Sequence, residues 1–465
     1  MKVIFKYEWL QFIRNKTAVI AWLLMLAIGV YAVYYGRSFQ QRQLHTIYQV
    51  DTAYQANVTA QLKKFDITDT STKDAKTNYK TARDAYMGEY YSRPMIWKQP
   101  HALQGLTIGQ SDNQPFFYNM WVSAKVYNNK LNELRNPAKL KAGNFDLAFV
   151  IIYMLPLLLI AYCYNVLAAD KGNGVSRLLA AQGVSLQRIT IGRLAFRSVL
   201  VLVLAFIVSL IGFMVNAINS VGSMAGWLGT TTCYLLFWTA VCFTIIALQK
   251  KAGITALLLV SSWVVMLLVI PAAVQKLQRS PDSTGTQIAD ADRDYGSFIW
   301  NMPKAELLDS LHTLYPGWKQ YLVKDSSLIR GIAYYILTSR NMNRLGQERD
   351  DNILREQKAL QRFDIINPAF AAQLSFNKLA QTELTDFIAF KKAAAAYQLQ
   401  RMDYINVFRI TNKEITRSEF NNKPVFQQPL LPVSLVEWLA GMLPLLLLAG
   451  AGLVTGYLLT KRNNL

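Results

Sequence analysis

The residues best placed to do work lie between two apolar runs. Asp170, Lys171, Arg177, Arg188 and Arg193 are spread through positions 169–194, with Gly172, Gly174 and Gly183 as breakers and Leu178 and Leu179 between them. Gly183 reads as a helical stop and Ser185 as the cap of the next helix. A basic helix-turn-helix of this kind, lying on the water side of a bilayer between two spans, has the shape needed to receive force from a soluble partner. Catalysis by the chain itself is not expected, because no GxxxxGK[ST], HExxH or GxSxG occurs and no nucleophile and base pair stands out. His45, His101 and His312 are scattered, and Cys163, Cys233 and Cys242 all fall in apolar runs, where a thiol packs as a small apolar group. Neither a metal site nor a disulfide framework is expected.

The elements that would hold this elbow are apolar runs near 17–35, 147–168, 198–215, 226–248, 254–274 and 438–460, none of which contains Asp, Glu, Lys or Arg. At ~1.5 Å per residue, roughly 20 residues cross a ~30 Å hydrocarbon core. The expected fold is an all-α integral membrane protein with six transmembrane helices, an N-terminal interfacial helix and a mainly helical extracytoplasmic body. Its segments are 1–16 (interfacial helix), 17–36 (span 1), 37–145 (first insert), 146–168 (span 2) and 169–194 (coupling region). They continue with 195–217, 226–248 and 254–275 (spans 3 to 5), 276–434 (second insert) and 435–460 (span 6).

Of the 465 residues 52% are apolar and 17% charged, with a formal charge of +20. Clustered Lys and Arg invite a nucleic-acid reading, but no basic stripe with interleaved aromatics appears outside the membrane. The excess is densest in short loops, at Arg14 and Lys16, Arg188 and Arg193, Lys250 and Lys251, and Lys461 and Arg462. That positive-inside pattern expects both termini in the cytoplasm and a multi-pass place in the inner membrane. Ion-driven carriers keep ionisable groups at mid-membrane to bind the coupling ion. None is present in these runs, so the energy source is expected in another polypeptide.

Residues 1–16 alternate apolar and basic positions and read as an amphipathic helix in the inner interface, with Trp9 at headgroup depth, rather than as a cleavable signal peptide. In the first insert DTSTKD marks a turn between helices, and Trp97, Phe116, Phe117, Tyr118 and Trp121 read as anchors of an irregular loop, for packing or for cargo. In the second, Asn367-Pro368 breaks a charged helix, and Leu384 to Phe408 reads as one long helix after a Thr382 cap. Pro156 bends the second span and frees a backbone carbonyl. With Tyr153, Tyr162, Tyr164 and Asn165 it is the candidate lining of a cargo path, a reading that competes with interface belt or packing.

The run FDLAFVIIYMLPLLLIAYCYNVLAAD, then Gly174, RLLAAQGVS and the pair Gly192-Arg193, closely resembles permease subunits of type-2 ATP-binding-cassette (ABC) exporters. LTIGQSDNQPFFYNM (106–120) and NPAFAAQLSFNKLAQTELTDFIAF (367–390) resemble the two extracytoplasmic signatures of the subgroup with large inserts after spans one and five. Asp170 stands where that family usually has Glu, and Arg193 where Lys is common; both keep the charge. The resemblance implies a non-catalytic subunit that dimerises with a second copy or paralogue and couples to separate ATPase subunits carrying ATP and Mg. The docking surface would comprise Glu8, Trp9, Asp170, Gly174, Arg177, Leu178, Leu179, Gly183, Arg188 and Arg193. The alternative is a mechanical transmitter, driven by the same ATPase, whose inserts push on an extracytoplasmic partner while nothing crosses the spans.

Overall fold

The structure, a computed structural model, describes residues 2–121, 126–128, 144–168, 185–277, 283–321, 326–360 and 367–462. It is dominated by helices. Helix α1 (Lys2–Arg14) leads into α2 (Lys16–Lys64), which Asn15 caps by accepting from Ala18 N at 3.2 Å. The apolar run ends near residue 35, yet α2 continues without a break for 49 residues. The reason is a stripe of buried positions, Gly29, Ala32, Val33, Gly36, Gln40, Gln43 and Ile47, repeating every three or four residues across the change from apolar to polar sequence.

Four further helices are long and apolar enough to cross a membrane: α6 (Leu186–Val215), α7 (Val221–Ala247), α8 (Ala252–Ala273) and α15 (Leu435–Arg462). With α2 they make five, and α5 (Leu147–Cys163) is a shorter apolar helix beside them. Helix α7 is the centre of the bundle, with Trp227, Tyr234 and Trp238 fully buried. Three hydrogen bonds tie it to its neighbours: Trp227 Nε1 donates to Ser209 Oγ (3.1 Å), Trp438 Nε1 to Thr230 Oγ1 (3.1 Å) and Thr244 Oγ1 to Gly452 O (2.8 Å). The outer faces carry exposed Leu23, Leu24, Leu257, Leu447 and Leu458. A belt of that size is stable against lipid and costly against water.

The polar segments fold onto one end of this bundle. They comprise the upper half of α2, α3 (Lys73–Arg83), α4 (Ala85–Ser92), α9 (Ser283–Asn301), α10 (Lys304–Leu314), α11 (Ser326–Leu360), α12 (Pro368–Leu379), α13 (Leu384–Thr411) and α14 (Arg417–Asn421). The body is mainly helical, as expected, with one short ribbon in it: strands β1 (Met95–Trp97) and β2 (Phe117–Asn119) pair antiparallel, with Ile96 opposite Tyr118. The aromatic stretch is thus a short ribbon rather than an irregular loop. It is held by packing, since the Tyr118 ring stacks on Phe390 at 5.7 Å. The cap of α13 is also Glu383, not Thr382. Asp386 Oδ2 accepts from Glu383 N at 3.1 Å, whereas Thr382 is buried against Gly109, where a Cβ would meet Thr382 Oγ1 at 2.5 Å and where a φ of +53° favours glycine in any case.

Both signatures meet at the seam between body and bundle. Ile108 N donates to Asp146 Oδ2 (2.8 Å), Ala148 N to Leu106 O (3.1 Å) and Thr107 Oγ1 to Asn377 Oδ1 (2.9 Å). Gly36 and Gly105 touch backbone to backbone there, an approach that any side chain would block. Helix α12 lays Phe376 against Trp227, ring centroids 4.3 Å apart, so the second insert is rooted in the apolar core.

Candidate functional site

The end of the bundle opposite the body gathers the start of α2, the end of α5, the start of α6 and the end of α15. Tyr162 Oη donates to Ala18 O (2.8 Å), and Gln187 Nε2 to Thr460 Oγ1 (2.9 Å). The short-loop cations Arg14, Arg188, Lys250, Lys251, Lys461 and Arg462 are all exposed at this end.

Helix α1 is fastened across it by one carboxylate. Glu8 Oε1 lies 3.2 Å from Arg193 Nε and Oε2 lies 3.0 Å from Arg197 Nε, and only 6% of the Glu8 side chain is exposed. The two arginines stand four residues apart on α6, hence on one face. Arg193 also donates to Val166 O at 3.3 Å, just past the end of α5, and Arg197 to Tyr162 O in its last turn. Phe5 packs edge-on against Phe196 (5.5 Å), and Phe12 against Tyr162 (6.2 Å). One buried anion thereby joins three helices at the point where the chain leaves α5 and enters α6.

A second feature is a pair of proline-linked bends. In α5, Val150–Met154 is wound as a π-helix, Leu155 N reaching Val150 O, and Pro156 follows. In α8, Val265–Val269 repeats the arrangement, and Pro271 follows. Each proline lacks an N–H, so carbonyls in the preceding turn lose a donor. Side chains from elsewhere replace it: Tyr234 Oη donates to Ile152 O at 2.7 Å and Asn367 Nδ2 to Met266 O at 2.8 Å. The two bends are cross-linked by Trp263 Nε1, which donates to Tyr153 O at 3.0 Å.

The expected site residues therefore separate. Glu8 and Arg193 come together and face inward on one another, while Trp9 and Arg188 are exposed nearby. Asp170, Gly174, Arg177, Leu178, Leu179 and Gly183 lie outside the described residues. Tyr153 and buried Pro156 belong to the α5 bend, with the Tyr153 ring stacked on Phe149 at 4.8 Å. Tyr162 belongs to the Glu8 junction instead, and Tyr164 and half-buried Asn165 lie just beyond it. Sequence reasoning missed Arg197, whose signal was its position four residues after Arg193. It missed Trp263, and it read Asn367 only as a breaker. Among the described residues no group of three or more His, Cys, Asp or Glu is placed to hold a metal ion.

A family model described as a domain of unknown function (DUF3526) matches residues 285–428. That stretch is less than a third of the chain and lies in the polar body, from α9 past α14. No curated protein and no solved structure matches the chain.

Proposed function

We propose that the chain is the membrane-spanning permease subunit of an ATP-driven type-2 ABC exporter. Separate ATPase subunits would hold ATP and Mg and dock beneath residues 175–193 and helix α1, and a second copy or paralogue would complete the dimer. The observation that carries this reading is the Glu8 junction. Because Glu8 ties α1 to Arg193 and Arg197 of α6, which in turn donate to carbonyls at the end of α5, a push on α1 or on the connector between those helices moves all three together. Counting α5 as a span gives six. In the inner (cytoplasmic) membrane, positive-inside orientation would put the basic end, with both termini, on the cytoplasmic side and the polar body outside. ATP-driven closure of the ATPases would tilt α5 and α6, and the bends at Pro156 and Pro271 would absorb the change of angle. Tyr153, Pro156, Tyr162, Tyr164 and Asn165 are the proposed cargo lining.

The test is docking. Leu178→Asp with Leu179→Asp should abolish co-purification of the ATPase while leaving membrane insertion intact; unchanged co-purification refutes the docking site. A second reading, force transmission to an extracytoplasmic partner without solute crossing the spans, is favoured by the Asn367 hydrogen bond, which ties the α8 bend to the body. In that case ATP turnover changes the accessibility of single cysteines introduced across the body of the reconstituted complex, with no solute moved.

A further inference from the structure

The polar body contains a cavity of about 460 Å³ between α2, β1, α13 and the segment after α14. Its walls are mainly apolar, with Val58, Ile96, Trp97, Phe420 and Phe426 among them. At one side stands a buried charge cluster that does not balance. Arg401 donates to Glu89 through Nε (2.7 Å to Oε1) and Nη2 (2.5 Å to Oε2), and through Nη1 to Tyr397 Oη (2.8 Å). Lys423 lines the cavity with its side chain only 8% exposed. Its ammonium lies 3.5 Å from Glu89 Oε2, at the limit of hydrogen-bonding distance, and 3.4 Å from the Phe420 ring centroid, and Nζ has no well-formed hydrogen bond. The Tyr54 hydroxyl faces the same Arg401. Two cations thus share one carboxylate already engaged bidentately, and an ammonium with three donors is left short of acceptors.

We propose that this cavity is a binding site for a small amphipathic carboxylate, its anionic head on Lys423 and the Tyr54 hydroxyl and its acyl or aryl portion along Val58, Ile96, Trp97 and Phe426. The volume is that of a ligand pocket, and an apolar wall with a few convergent polar groups is the usual make-up of one. Burial pushes the Lys423 ammonium down to about 8, so it is still mainly charged at neutral pH, and a bound anion would raise it again. The site is independent of whether the chain couples to an ATPase.

The test is titration calorimetry on the full chain in lipid nanodiscs, with empty nanodiscs subtracted, using phenylalkyl and alkyl carboxylates of graded length and the alcohol of each. At least one carboxylate should bind with one-to-one stoichiometry and about tenfold or more tighter than its alcohol. Lys423→Met should erase that difference, whereas Lys319→Met, at an exposed lysine, should preserve it. The comparison of carboxylate with alcohol on the unmodified chain stands even where a variant fails to fold. No carboxylate binding better than its alcohol, or a preference that survives Lys423→Met, overturns the proposal.

Discussion

The Glu8 junction makes a prediction whose size follows from its burial. Glu8→Gln keeps the side-chain volume and one hydrogen-bonding oxygen but removes the carboxylate that, among the described residues, lies between Arg193 and Arg197. Breaking a buried ion pair by removing one partner costs about 3–5 kcal/mol, because the remaining charge is left in a poor solvent. Here the arginine side chains are 23% and 19% exposed, and each retains a backbone carbonyl, Val166 O or Tyr162 O. The lower end of that range applies, about 3 kcal/mol. Since these two ion pairs and the Phe5–Phe196 and Phe12–Tyr162 contacts fasten α1 among the described residues, the cost falls on docking of α1 rather than on the bundle. Its local opening equilibrium should rise by about a hundredfold. Amide hydrogen exchange over 3–12 should speed up by that factor, with exchange in α7 unchanged. Glu348→Gln is the control, because the Arg344–Glu348 pair is 60% and 58% exposed and such pairs contribute ~0–1 kcal/mol. In a double-mutant cycle, Glu8→Gln with Arg197→Met should lose less than the sum of the single variants. Unchanged exchange in α1, or acceleration spread evenly through α7, would refute the reasoning.

Two further outcomes follow from the body and its seam. Asn367→Leu removes both the donor to Met266 O and the acceptor from Ala369 N at a fully buried position, so unfolding should become easier by about 1–3 kcal/mol, read as a lower Tm in detergent; an unchanged Tm would mean that the α8 bend satisfies its own carbonyl. Burial, partly offset by Lys98, pushes the Asp386 carboxyl up to about 6 from 3.8, and burial raises Glu383 in the same sense. The folded chain then keeps a proton that the unfolded chain releases, so the stability from Asp386 is fully present below pH ~4, falls as pH rises to about 6, and is level above. The difference in stability between the native chain and Asp386→Asn should vary by up to about 3 kcal/mol across that window, with this sign; a difference independent of pH removes the claim.

What the chain's sequence determines by itself is periodicity and solvent. Uncharged runs of spanning length, breakers at their ends and basic residues at alternate turns specify helices and which residues face away from water, because backbone hydrogen bonding in an apolar medium permits little else. Ser185 as a cap was legible for the same local reason, whereas the Asn15 cap of α2 came only with the structure. Pairings were not. Glu8 and Arg197 are 189 residues apart, and Glu89 and Arg401 are 312 apart. An isolated Glu on an amphipathic helix reads the same whether it meets water or a buried arginine. The continuation of α2 past its apolar half, the π-wound turns before Pro156 and Pro271, and the donors that complete them depend on which surfaces are brought together. Helix propensity and hydropathy carry no record of a partner, and it is close packing in three dimensions that decides which polar groups are left without water and must find one another.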